Sequence, residues 1–174
     1  MRVVSYHTED EYSELAEVLE GSLLDLGISY SMDVVGNEPS WLETYLYKPS
    51  YILDCLNRYP GEDILYMDVD SILVRKPKIL DSARKFFDMA ISVDDEGNAI
   101  SSVMWFKNCE KTKEFLKDWV NNNVNPTKSL SLVLSKWVME GRIKNLTLPP
   151  QYYKINDQME EISDPVIILS LIHI

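Results

Sequence analysis

Cysteine is scarce in this chain, two residues in 174, and the scarcity excludes two architectures. Cys55 and Cys109 stand far apart and outside any C-x-x-C pair, so neither a disulfide framework nor a thiolate zinc site is expected. Positive charge is also short: 17 Lys and Arg against 28 Asp and Glu leave a net charge of −11. A surface of that sign repels nucleic acid and anionic membranes, so neither is expected as a partner. It still admits a nucleotide ligand where a bound cation reverses the local field. Long apolar runs are missing: residues 166–169 fall far short of a bilayer span. Met1 and Arg2 lead straight into strand-forming residues, without the charged and then apolar regions of a secretory leader. The expectation is a cytoplasmic chain with no membrane span. No repeat, low-complexity tract or long linker divides it, so residues 1–168 are expected to form one domain.

What is present alternates between strand and helix signals. Val3, Val4 and Tyr6 mark a first strand that stops at Thr8, and Thr8 with Glu11 makes a capping-box pattern for a helix. Tyr12, Leu15, Leu19, Leu23 and Leu26 follow at helical spacing, and Gly27 closes the helix. Residues 28–35 read as a second strand and residues 37–47 as an aromatic-bearing loop. Lys48-Pro49 then reads as a helix start, because proline is tolerated in the first turn. After a third strand, a helix over residues 78–87 leads to a fourth, residues 89–93. Gly97-Asn98 turns the chain into an antiparallel strand over residues 99–106. Helices over residues 110–122 and 127–140 and strands over 143–148 and 166–169 complete a mixed α/β sheet with at least one antiparallel strand.

The third strand carries the chemistry. Ile64, Leu65, Tyr66 and Met67 form an apolar run suited to a strand buried on both faces, and it ends in Asp68 and Asp70. Alternate strand residues point the same way, and the carboxyl end of such a strand is where open α/β sheets place ligands. Two oxygen donors converging there suit a hard divalent cation, Mg²⁺ or Mn²⁺, with phosphate completing its shell. The acidic pair Asp94-Asp95 before Gly97 reads as an exposed turn.

Taken together, the segment 64–70, the Lys48-Pro49 pair ahead of it, the run 101–106 (S-S-V-M-W-F) and the late Leu148-Pro149-Pro150 resemble GT-A fold glycosyltransferases. These are nucleotide-diphospho-sugar transferases with a D-x-D motif. The resemblance implies a Rossmann-like, mostly parallel sheet flanked by helices, and transfer of a sugar from a nucleotide-diphospho-sugar donor to an acceptor it does not name. It implies that Asp68 and Asp70 hold Mn²⁺ or Mg²⁺ against the donor diphosphate. It further implies that Ser5, Tyr6 and Thr8 hold the nucleoside, that Lys48 contacts phosphate, and that Ser101 and Ser102 face the sugar or acceptor.

The chain departs from the family pattern in three places. Ser102 or Val103 replaces the family's glycine, and Lys128-Ser129 stands near the place of its D-Q. Residues 169–174 read as a non-native tail, which makes His173 accidental where the family often carries a metal-binding histidine. Residues 68–73 also resemble the D-x-D-G-T-L of haloacid-dehalogenase-like phosphatases. In that reading Asp68 is the nucleophile and Asp70 the general acid/base, with Mg²⁺ bound. That motif normally follows the first strand of its domain, whereas two strands and two helices precede it here. A third reading, a catalytically incomplete nucleotide-binding fragment, is suggested by the tail and the missing D-Q.

Overall fold

The structure, a computed structural model, describes residues 1–9, 12–36, 41–125, 128–155 and 162–169. In chain order the elements are β1 (Arg2–His7), α1 (Ser13–Asp25), β2 (Tyr30–Val34), α2 (Trp41–Arg58), β3 (Ile64–Met67), β4 (Ser71–Leu73) and α3 (Lys78–Ala83). There follow β5 (Met89–Val93), β6 (Ala99–Phe106), α4 (Glu110–Asn122), α5 (Ser129–Met139), β7 (Asn145–Thr147), a single 3-10 turn (Pro150–Tyr152), β8 (Lys154–Ile155) and β9 (Ile167–Leu169).

Six strands form the main sheet in the order β2-β1-β3-β6-β5-β7. Their pairings are parallel except for the two made by β6, which runs against the others. The expected mixed, mostly parallel sheet flanked by helices is therefore present. The reversal at β6 has a local cause. Gly97 adopts φ 84°, and Asp94 Oδ1 accepts the backbone N–H groups of Glu96 and Asn98 in the turn. Asp94 is thus an exposed turn residue, its carboxyl held below the usual range first by the Asn98 side-chain amide.

Alternation along the strands sends side chains to two cores. Val4, Tyr6, Ile64, Tyr66, Met104 and Phe106 pack against α2, α4 and α5, where Trp119 and Trp137 are buried. Val3, Leu65, Met67, Val103 and Trp105 face Leu19 and Leu23 of α1, Leu80 and Ala83 of α3, and Tyr152. A second, three-stranded sheet, β4-β9-β8, lies on this latter side. Among the described residues no helix is long and apolar enough to cross a membrane.

Several expected boundaries are corrected. Helix α1 starts at Ser13 behind Tyr12, which makes no side-chain cap, so no capping box at Thr8 opens it; Glu11 lies outside the described residues. Helix α2 starts at Trp41, inside the stretch read as a loop, and Pro49 sits within the helix rather than in its first turn. A proline there removes one helical donor. The turn ahead of it is held from outside, because the Tyr6 hydroxyl donates to the Thr44 carbonyl at 2.6 Å. Helix α3 is shorter than the periodicity predicts. Strand β4 carries no signal of its own: three residues pair with β9, nearly a hundred positions away, and only that pairing makes them a strand.

Candidate active site at the carboxyl end of β3

Asp68 follows β3 directly, and its backbone N–H donates to the Ser102 carbonyl of β6 at 2.8 Å. Tyr66 stands two residues earlier, on the same side of the strand. Its fully buried hydroxyl donates to Asp68 Oδ1 at 2.6 Å. Lys48 reaches the same oxygen from α2, with Nζ 2.8 Å away. The Ser101 carbonyl and hydroxyl, each at 3.3 Å, accept its other donors. The ammonium lies 5.2 Å from the Tyr45 ring centroid and 5.0 Å from that of Tyr66. One carboxylate oxygen of Asp68 is therefore gripped by a cation and a phenol. Both partners are strongly desolvated, which makes charge-assisted bonds of this kind strong.

Beneath this contact lies a tyrosine wall. Tyr6 packs on Tyr47, Tyr51 and Tyr66 with centroid distances of 5.5, 4.8 and 6.0 Å. The Tyr51 hydroxyl donates to the Ser5 carbonyl at 2.6 Å. Burial and the charge on Asp68 push the Tyr6 and Tyr66 phenols well up, so both stay protonated donors.

Asp70 sits in the turn into β4, where Ser71 N–H donates to the Asp68 carbonyl at 3.1 Å. Its carboxyl is pushed up from its ordinary 3.8 to about 6, first by burial and then by the charge on Asp68. Its own backbone N–H and the Lys48 ammonium pull the other way without cancelling this. Burial and the charge on Asp68 thus disfavour the ionised Asp70 carboxyl, and a cation placed there would favour it. The donor chemistry, two carboxylates and nearby hydroxyls, fits a hard divalent ion. Among the described residues no third His, Cys, Asp or Glu joins them in a cluster.

The other sequence-predicted residues divide into two groups. Ser101 and Ser102 come to Asp68 through an irregularity in β6: Ile91 pairs with Met104 and Ser92 with Ile100, so residues 101–103 have no partner on β5. Bulges of this kind re-aim side chains beside sites. Lys48 joins the same contacts. At the end of β1, Ser5 and Tyr6 are buried, and the Tyr6 hydroxyl is already committed to Thr44. Thr8 lies beyond the strand, its carbonyl 2.9 Å from His7 Nδ1. Tyr66 escaped the sequence reading, although its i−2 spacing from Asp68 was the available signal. Strand β9 brings Leu169 opposite Ser71, beside Asp70. His173 lies outside the described residues.

No family model matches the chain, and no curated protein sequence matches it. Solved structures do. The glycosyltransferase involved in the glycosylation of the major capsid of PBCV-1 aligns with a TM-score of 0.68 at 16% identity, covering 98% of this chain and 92% of that one. The WbbM bifunctional glycosyltransferase aligns with a TM-score of 0.63 at 13% identity, covering 98% of this chain and 45% of that one. For the glycosyltransferase GlyE of Streptococcus pneumoniae TIGR4 the TM-score is 0.62 at 15% identity, with coverage of 97% and 54%. The chain spans most of the first structure and about half the length of the other two. At these identities the likeness is one of fold, and the fold is that of glycosyltransferases.

Proposed function

We propose that this chain is a metal-dependent glycosyltransferase that moves a sugar from a nucleotide-diphospho-sugar to an acceptor. The observation that carries the reading is the placement of two carboxylates, Asp68 and Asp70, at the carboxyl end of a central strand in a sheet of glycosyltransferase form. Asp70 and the second oxygen of Asp68 would hold Mn²⁺ or Mg²⁺. Bound there, the ion would neutralise the charge that develops on the diphosphate as the sugar–phosphate bond breaks.

The protein's own groups do the rest. Lys48 and Tyr66 fix Asp68 through its Oδ1. The bulge of β6 turns Ser101 and Ser102 toward the sugar or acceptor. At the end of β1, Ser5 and Tyr6 build a buried wall beside the nucleoside, and Thr8 stands at its mouth. Read as a haloacid-dehalogenase-like phosphatase, the site would need Asp68 free to attack phosphorus. The grip of Lys48 and Tyr66 on Oδ1 leaves the other oxygen able to do so. What counts against this reading is the place of the motif, behind β1, α1, β2 and α2 instead of after the first strand.

Calorimetry with a panel of nucleoside diphosphates, with and without Mn²⁺, tests the reading directly. Binding that requires Mn²⁺ and disappears in Asp70→Ala is expected. Binding indifferent to metal, or unchanged in Asp70→Ala, would sink the role given to the pair. Metal-dependent binding without sugar transfer or donor hydrolysis would identify the catalytically incomplete fragment.

A further inference from the structure

Lys48 is buried, and an ammonium so placed is costly unless all three donors are met. Here they are met by Asp68 Oδ1, the Ser101 carbonyl and the Ser101 hydroxyl. Nothing in that arrangement leaves a donor for a phosphate. The side chain runs beside the rings of Tyr45 and Tyr66, which steady its charge from the flank. The closest of its contacts, at 2.8 Å, is to a carboxylate that the proposed function assigns to a divalent cation.

We infer that Lys48 is a built-in counter-ion, seated on Oδ1 of Asp68 beside the oxygen left for the metal and thereby setting how weakly a divalent ion binds before a diphosphate arrives. The inference rests on the donor-site reading above. A cation entering beside Asp68 meets a positive charge already seated on Oδ1, so metal alone gains little. A diphosphate brings negative charge of its own, and the site then holds both cations. Metal and diphosphate favour each other's binding by linkage, and Lys48 is the positioning residue that keeps the metal weakly held until the diphosphate arrives.

The test is a Mn²⁺ titration of the full chain, followed by electron paramagnetic resonance without nucleotide, alongside melting curves with and without Mn²⁺. Lys48→Met keeps the apolar stem and removes the charge. It is expected to bind Mn²⁺ alone about tenfold more tightly than the unsubstituted protein, and to gain more in melting temperature from Mn²⁺. Lys48→Arg keeps the charge and is expected to show no tightening. Unchanged or weaker Mn²⁺ binding by Lys48→Met, or equal tightening in Lys48→Arg, overturns the inference. If Lys48→Met folds poorly in metal-free buffer, Mn²⁺ is expected to restore it, and failure to do so also overturns the counter-ion role. Tightening without nucleoside diphosphate binding in any variant would keep the counter-ion and remove the donor site. Mn²⁺-dependent diphosphate binding with no tightening would remove the counter-ion alone.

Discussion

Asp63 and Asp68 stand at opposite ends of β3, separated by four buried residues, and their surroundings differ in kind. At the amino end, Asp63 Oδ1 accepts the Asn108 N–H at 3.0 Å and Oδ2 accepts Arg84 Nε at 2.8 Å. Its carbonyl also accepts the Arg2 N–H at 2.9 Å, tying the start of β1 to the strand. Both carboxylate oxygens and the carbonyl of that residue are spent on joining elements. At the carboxyl end, Asp68 has one oxygen doubly engaged, and Asp70 beside it carries a proton affinity raised by burial and like charge. A saturated carboxylate holds a scaffold together. The pair at the carboxyl end is the one to which the proposed function assigns a cation.

Substitutions at the two ends are expected to separate stability from binding. Asp63→Ala should cost about 2 kcal/mol in a urea unfolding titration, because the Asn108 N–H loses its acceptor and Arg84 its partner, while nucleoside diphosphate binding stays unaltered. Loss of binding in a still-folded Asp63→Ala protein would break the contrast. Asp70→Asn should do the reverse. Calorimetry should register about a hundredfold loss of Mn²⁺-dependent diphosphate affinity, with the metal-free protein at pH 7 more stable rather than less.

The pH dependence of stability sharpens the same point. With the Asp70 carboxyl raised from 3.8 to about 6 in the fold, the folded chain keeps a proton that the unfolded chain has released. Stability therefore falls as pH rises through that window, by on the order of 3 kcal/mol, and the fall should vanish in Asp70→Asn. Denaturant titrations at several pH values, with and without Mn²⁺, check this; a flat profile in the unsubstituted protein would contradict it. Tyr66→Phe removes only the phenolic donor to Asp68 and should cost about 1 kcal/mol of stability, with a few-fold weaker metal-dependent binding. Smallest of all is Asp94→Ala, in an exposed turn on another strand. It should leave diphosphate affinity within about twofold, and a larger drop would assign Asp94 to the site after all.

Much of the frame was legible because its signals are local. The hairpin at Gly97 needs one residue able to adopt positive φ, and α4 follows its amphipathic period from Glu110 to Asn122. What was missed depends on contacts across the chain. The stretch before Pro49 reads as loop, since nothing in residues 41–47 announces that a Tyr6 hydroxyl will hold the Thr44 carbonyl. Strand β4 is three residues long and exists through its pairing with β9. The site divides along the same line: Asp68, Asp70 and, by its i−2 spacing, Tyr66 could be picked out by their strand, but the occupation of Oδ1 by Lys48 could not.

By itself the sequence determined that a buried parallel strand would end in two carboxylates, since alternation and apolar run length are properties of adjacent residues. It also determined where the chain would turn back as β6. Only the tertiary structure decided what those carboxylates meet. Lys48 lies 20 positions before Asp68, and Ser101 lies 53 positions after Lys48. They converge because the register of β3 on β6 sets Met67 against Val103 and α2 packs across both strands. Which oxygen Lys48 and Tyr66 hold is fixed by that packing.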